Sequence, residues 1–208
     1  LKYVGTFATG YNNVDVSAAK ARNIVVCNVP DYSSDAVAQH AMGFILMTAS
    51  GLYDYVASVN RGDWIKSKSF CYYPYYLTEL KGKTLGVLGL GNIGKKVAAL
   101  GRAFGMNVIA CTRTLREDSE YETVDLERLF KESDWLTLHA PLTENTKEIV
   151  CAKTLSLMKK TAVLVNTARG GLINEYDLAR ALKDGGLRAA CLDVIGAEPM
   201  QSDCPLYG

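Results

Sequence analysis

Gly89-Leu90-Gly91-Asn92-Ile93-Gly94 directly follows the apolar run Thr84-Leu85-Gly86-Val87-Leu88 and opens the helical pattern Lys95-Lys96-Val97-Ala98-Ala99-Leu100. A G-x-G-x-x-G run alone says little. Between a strand and a helix it can hold a dinucleotide pyrophosphate, because each glycine then has its own task. Gly89 allows the tight turn, Gly91 lets the backbone approach the pyrophosphate, and Gly94 lets the helix pack closely on the strand. The helix N-terminus is left aimed at negative charge. A purely structural glycine turn is the alternative, and the flanking strand and helix weigh against it.

The acidic residue that would bind the ribose 2′-hydroxyl, expected about 20 residues further on, is missing. Cys111-Thr112-Arg113-Thr114 occupies its slot. Thr112 followed by Arg113 removes the repulsion that a carboxylate would exert on a 2′-phosphate, and the guanidinium could pair with that phosphate. Equally, Arg113 could lie along the adenine face while NAD binds in the ordinary way. NAD and NADP both stay open on these residues.

Further polar residues follow apolar runs. His139-Ala140-Pro141-Leu142-Thr143 follows residues 135–138, and Asn166-Thr167-Ala168-Arg169-Gly170-Gly171 follows 162–165. Asp193 follows 188–192, with Glu198-Pro199 just beyond. In an open α/β sheet, ligands bind outside the carboxyl ends of the strands, so these residues are expected to converge on one crevice. Singly, Arg169 reads as a surface cation, Asp193 as a helix cap and Glu198 as a loop charge. Their succession at strand ends favours a site.

The elements that must position them alternate β-like runs with helical patterns, which points to an α/β fold with a doubly wound parallel sheet. Strands are read at 84–88, 107–111, 135–138, 162–165 and 188–192, with helices at 92–104, 126–131 and 175–182. Ahead of them come strands at 3–7 and 24–26, a helix at 15–22 and a turn at Asn28-Val29-Pro30-Asp31. Ser33, Ser34 and Asp35 then offer caps for one long apolar-rich helix running to about residue 59. Residues 60–76 break the pattern with Trp64, Phe70, Tyr72, Tyr73, Tyr75 and Tyr76. Such aromatics suit a subunit contact better than local packing.

Composition excludes several classes. The 208 residues carry 23 Lys and Arg against 22 Asp and Glu, a formal net charge of +1, which offers no basic face for nucleic acid. The longest apolar stretch, near Ala41 to Met47, is too short to span a bilayer and reads as a buried helix. The first residues resemble a core strand, not a signal peptide. Cys27, Cys71, Cys111, Cys151, Cys191 and Cys204 are scattered without Cys-x-x-Cys pairs. No metal site or disulfide framework is expected, and a reducing cytoplasm is favoured.

The Gly-Leu-Gly-Asn-Ile-Gly, His-Ala-Pro-Leu-Thr, Asn-Thr-Ala-Arg-Gly and Leu-Asp-Val-x-x-x-Glu-Pro segments together resemble the D-isomer-specific 2-hydroxyacid dehydrogenases, as do Thr9-Gly10-Tyr11-Asn12-Asn13-Val14-Asp15 and Asn28-Val29-Pro30. Residues 25–29, Val37-Ala38-Gln39-His40 and the region from Gly62 to Tyr72 look most like glycerate dehydrogenases, also called hydroxypyruvate reductases. The resemblance implies a Rossmann domain over 34–208 and, in 1–33, the end of a flavodoxin-like substrate domain. It implies hydride transfer between NAD(P)H and a small 2-oxo or 2-hydroxy acid, such as hydroxypyruvate or glyoxylate giving D-glycerate or glycolate. Arg169 matches the arginine that grips the substrate carboxylate and keto oxygen beside the cofactor, and Glu198 the glutamate that holds the catalytic histidine. Asp193 matches the residue binding the nicotinamide amide. Thr146, Thr167 and Ala168 match cofactor contacts, His139 with Ala140 and Pro141 lies beside the cofactor, and Asn92 and Ile93 lie over the pyrophosphate.

One departure stands out. The family's acid/base histidine follows the Glu-Pro motif in a Pro-His segment, whereas this sequence stops at Leu206-Tyr207-Gly208 and holds only His40 and His139. His40, inside the long helix, reads as packed or capping. The sequence is therefore expected to be cut short at both ends, and the chain as given to bind cofactor without reducing 2-oxo acids. A homodimer is expected, built on the long helix and the aromatic segment. Two alternatives share the fold: a cofactor-sensing corepressor, and an isolated nucleotide-binding domain without catalysis.

Overall fold

The computed structural model of the chain describes residues 1–11, 13–113 and 120–207. Asn12, Thr114 and Gly208, which belong to segments singled out above, lie outside the described residues. A small unit comes first, in which β1 (Tyr3–Gly5) and β2 (Val25–Cys27) pair in parallel through α1 (Val16–Ala21). Asp15 caps α1 by accepting from the Ala18 N–H at 2.8 Å.

Six parallel strands form the main sheet: β3 (Thr84–Leu88), β4 (Asn107–Cys111), β5 (Glu122–Thr123), β6 (Trp135–Leu138), β7 (Val163–Asn166) and β8 (Ala189–Leu192). Their order is β5-β4-β3-β6-β7-β8, the doubly wound arrangement of a Rossmann fold. Five strands are read from the sequence; the sixth, β5, has two residues and no apolar run to betray it.

Helices cover both faces. Leu85, Val87, Trp135, Val163 and Val165 pack towards α2 (Ser34–Ser50) and α4 (Asn92–Ala103). Leu88, Leu136, Leu138 and Leu164 pack towards α5 (Leu126–Glu132), α6 (Ala152–Leu155) and α7 (Glu175–Lys183). Strands buried on both faces read as continuous apolar runs. Each such side chain contributes about 1.5–3 kcal/mol by leaving water, so the core holds the strand ends rigidly.

The single long helix expected up to residue 59 is in fact two. α2 stops at Ser50, Gly51 takes the left-handed conformation (φ +58), and α3 (Leu52–Asn60) continues in a new direction. Glycine reaches that region without steric cost and closes helices there. Distant groups secure the break: the Gly51 N–H donates to Met47 O, Thr78 N–H to Ala49 O, and Arg188 Nη2 to Thr48 O at 2.6 Å. Trp135 Nε1 donates to Thr48 Oγ1 at 3.0 Å, tying the same turn to β6.

The aromatic segment divides. Tyr55 and Tyr75 meet edge to face at 5.2 Å, and Ser58 Oγ lies 2.6 Å from the Tyr72 hydroxyl. Trp64, Ile65, Phe70, Tyr73 and Tyr76 stay exposed, Ile65 and Phe70 at about nine-tenths. All six cysteines are free thiols. Among the described residues, no helix is long and apolar enough to cross a membrane.

Candidate active site

The strand registers bring Leu88, Cys111, Leu138, Asn166 and Leu192 level with one another. Gly89, Thr112, His139, Thr167 and Asp193 therefore leave the sheet in one row. The sheet order reverses between β3 and β6, so the loops after these two strands part there and open a crevice.

The glycine turn is shaped by its neighbours. Gly89 has φ +96, and a Cβ on it would sit 2.9 Å from His139 C and O and from Ala140 N. A Cβ on Gly94 would lie 1.9 Å from Gly89 O. A Cβ on Gly91, by contrast, would meet nothing within 4 Å, so this side of the turn is open to an approaching group. The Ser34 hydroxyl and, to a lesser degree, the Asn92 side chain hold the Asp31 carboxyl below its usual pKa. The Asn92 backbone N–H remains at the start of α4, where anions are favoured.

His139 faces inward. Its Nε2 lies 2.8 Å from Thr137 Oγ1, and enclosure of the ring pushes its pKa down to about 4. The imidazole is neutral at physiological pH, which suits packing beside a ligand and not proton donation.

The loop after β7 is built on a residue that sequence reasoning assigned no role. Asn166, fully buried, donates from Nδ2 to Arg169 O at 2.9 Å and accepts at Oδ1 from the Ala168 N–H at 3.0 Å. Asparagine at a strand end commonly closes such a turn on its own backbone, the one signal available for it. The clamp fixes Thr167, Ala168 and Arg169 against the crevice. Arg169 is half-buried, with Nη1 donating to Ala168 O at 2.7 Å. The Thr167 hydroxyl is buried and has no hydrogen-bonding partner among the described residues. Burying a hydroxyl in this way costs roughly 1–3 kcal/mol; a ligand polar group would offset it.

A cleft of about 850 Å³ collects these groups, lined by Ile93, His139, Ala140, Pro141, Thr167, Ala168 and Arg169 together with Thr9, Gly10, Tyr11 and Asn13 of the first unit. That volume is in the range of ligand sites, roughly 300–1,000 Å³. It can take a flat heterocycle with a small acid beside it.

Other residues singled out from the sequence stand outside the lining of this cleft, Gly89, Gly91, Asn92 and Gly94 among them. Thr112, half-buried, and Arg113, exposed, follow β4, further along the row. Thr146 turns its hydroxyl into its own loop, donating to Pro141 O at 2.6 Å and accepting from the Thr143 N–H at 2.8 Å. It shapes that loop. Glu198 is exposed and accepts from the Ile195 N–H at 3.2 Å, while Glu175 accepts from the Gly196 N–H at 2.6 Å.

Asp193, also outside the cleft, meets His40. Of the two roles expected for His40, packing is the one found: it sits inside α2, its ring 4.4 Å from that of Phe44, and its Nε2 lies 3.3 Å from Asp193 Oδ1.

The chain is similar to known proteins in sequence and in fold. Residues 42–208 match the family model for the NAD binding domain of D-isomer specific 2-hydroxyacid dehydrogenases. The chain is 43% identical over 199 residues to a glycerate dehydrogenase of Methylorubrum extorquens, covering 96% of this chain and 62% of that protein. Among solved structures, an NADPH-dependent glyoxylate/hydroxypyruvate reductase from Sinorhizobium meliloti in complex with NADP and malonate superposes with a TM-score of 0.87 at 36% identity, over 98% of this chain and 63% of that one. A D-lactate dehydrogenase from Aquifex aeolicus complexed with NAD and lactic acid gives 0.86 at 35% identity, over 95% and 59%. The chain thus spans less than two thirds of the length of these relatives.

Proposed function

Because the chain belongs to the D-isomer-specific 2-hydroxyacid dehydrogenase family, we propose that it forms the dinucleotide half of an oxidoreductase for small 2-oxo and 2-hydroxy acids, with hydroxypyruvate or glyoxylate as the acid reduced. The observation that carries this reading is the cleft at the sheet's carboxyl edge, where Ile93 of the first turn of α4, the Thr167 hydroxyl and Arg169 meet, with the open glycine turn leading into that helix. A pyridine dinucleotide fits those groups. Its pyrophosphate would lie against Gly91 and the backbone N–H groups of Asn92 and Ile93. Its nicotinamide would lie by His139, Ala140 and Pro141, with polar contacts to Thr167 and Asp193. When bound, the cofactor supplies or accepts a hydride.

The chain's own residues do the rest. Arg169 presents a planar cation that can contact both the substrate carboxylate and the keto oxygen, polarising the carbonyl as charge develops. His139, neutral and turned to Thr137, serves as a wall beside the ring. Glu198 orients a histidine supplied from elsewhere in the protein and stabilises its charged form, so that a proton is at hand near neutral pH. Thr112 and Arg113 flank the adenosine ribose. Residues 1–33 are the end of a substrate domain, and 34–208 make up the cofactor domain.

A second copy of the chain covers the exposed apolar face formed by α3 and residues 61–77, which carries Leu52, Val56, Trp64, Ile65, Phe70 and Tyr73. Aromatic-rich surfaces of this kind favour association. Unpaired thiols at exposed Cys27 and Cys71 suit a cytoplasmic setting.

Titrating the chain with NADH and NADPH, followed by nucleotide fluorescence, tests the first step: saturable binding of at least one is expected, and binding of neither would overturn the reading. In the complete polypeptide, Arg169→Ala should lower kcat/KM for hydroxypyruvate about 10³-fold, equivalent to about 4 kcal/mol. Cofactor affinity should change only a fewfold. Full turnover in that variant would remove Arg169 from the reaction.

A further inference from the structure

We infer that His40 is a positioning residue for the cofactor, holding the Asp193 carboxylate where it receives the nicotinamide carboxamide. This rests on the reading of Asp193 given above. Asp193 is the first residue beyond β8, with its backbone fixed by its N–H donating to Asn166 O at 3.0 Å. Its side chain is about half exposed. Two rotatable bonds would let a carboxylate in that position sweep over solvent. The His40 imidazole, 3.3 Å from Oδ1, restrains it.

The restraint is anchored in the core. Ala38, Ala41, Met42 and Ile45 bury one side of α2, and Phe44 packs on the same cluster. His40 rests on Phe44, four residues later and so one helical turn on. Val37, three residues before His40, lines the cleft. The rigid face of α2 thus reaches from the core through Phe44 and His40 to the carboxylate at the end of β8. His40 is outside the cleft lining, and it acts only through Asp193.

Dissociation constants for NADH and for ADP-ribose, which lacks the nicotinamide, separate the possibilities. His40→Ala removes one partly exposed hydrogen-bonding contact to the carboxylate, so it should weaken NADH binding about threefold to fivefold and leave ADP-ribose unchanged. His40→Gln, which keeps a side-chain N–H of similar reach, should recover most of the loss. In an Asp193→Asn background, His40→Ala should add nothing. If Asp193→Asn selectively weakens NADH while His40→Ala does not, the inference is overturned and the reading of Asp193 stands. Equal loss of NADH and ADP-ribose in His40→Ala would reduce His40 to a structural role and also overturn it. If Asp193→Asn spares NADH, the reading of Asp193 itself fails.

Discussion

The glycine turn after β3 and the loops after β7 and β8 lie along the same edge of one sheet, yet different contacts hold them. In the turn, backbone meets backbone: Gly94 sits on Gly89, and Gly89 on His139 and Ala140. The loops depend on side chains, one of them local and two arriving from other elements. Asn166 folds the first of them on itself, Glu175 on α7 binds Gly196, and His40 on α2 meets Asp193. The turn needs only its own glycines and the backbone of the loop after β6, whereas the loop after β8 also needs side chains from α2 and α7.

Substituting one glycine in each region breaks the comparison most directly. A Cβ at Gly94 falls 1.9 Å from Gly89 O, and both residues are fixed by β3 and α4, so neither can give way. Gly94→Ala should cost about 3 kcal/mol or more, near the upper end for overpacking, and abolish binding of NADH and ADP-ribose together. A Cβ at Gly170 falls equally close to Ile195 C and O, but the segment beyond β8 is largely exposed and outside the sheet, so it can swing away. Gly170→Ala should cost about 1–2 kcal/mol and spare ADP-ribose. Denaturant midpoints with both ligand titrations check this. Equal losses from the two variants would mean that the regions are not held differently after all.

His139 belongs to the turn side and sharpens the contrast through pH. Its folded pKa, about 4, lies below the ordinary 6.5, so the unfolded chain takes up a proton first as pH falls. The resulting stability is fully present above pH 6.5 and is lost as pH drops from 6.5 towards 4. The most it can amount to is about 3 kcal/mol. Unfolding free energies of the parent and of His139→Gln, compared across that window, should converge as pH falls. Parallel curves would show that the ring is not confined.

The same distinction explains how much could be read from sequence. β3, β4 and β6 occupy 84–88, 107–111 and 135–138 as expected, because apolar runs bounded by polar residues are local signals. The row of residues at the strand ends follows from that. The break at Gly51 did not, since an isolated glycine inside a helical pattern is tolerated and its left-handed turn is secured by Thr78, Arg188 and Trp135 from far along the chain. The turn of the Thr146 hydroxyl into its own loop was likewise illegible, because residue type cannot say which way a hydroxyl points. His40 looked inert because nothing near it in sequence announces Asp193.

Arg113 tests the adenosine end of the same edge, where the smallest effect is expected. It is exposed just beyond β4, and neither Thr112 nor Arg113 brings a carboxylate that would repel a 2′-phosphate. If its guanidinium pairs with that phosphate, Arg113→Ala should weaken NADPH about fivefold relative to NADH, the roughly 1 kcal/mol of an exposed charge pair, and added salt should shrink the difference. An unchanged NADPH-to-NADH ratio would instead lay the guanidinium against the adenine. The outcome also bears on the two-region contrast: an exposed side chain that sets cofactor preference without affecting stability would place the β4 end with the loops, and not with the turn beside it.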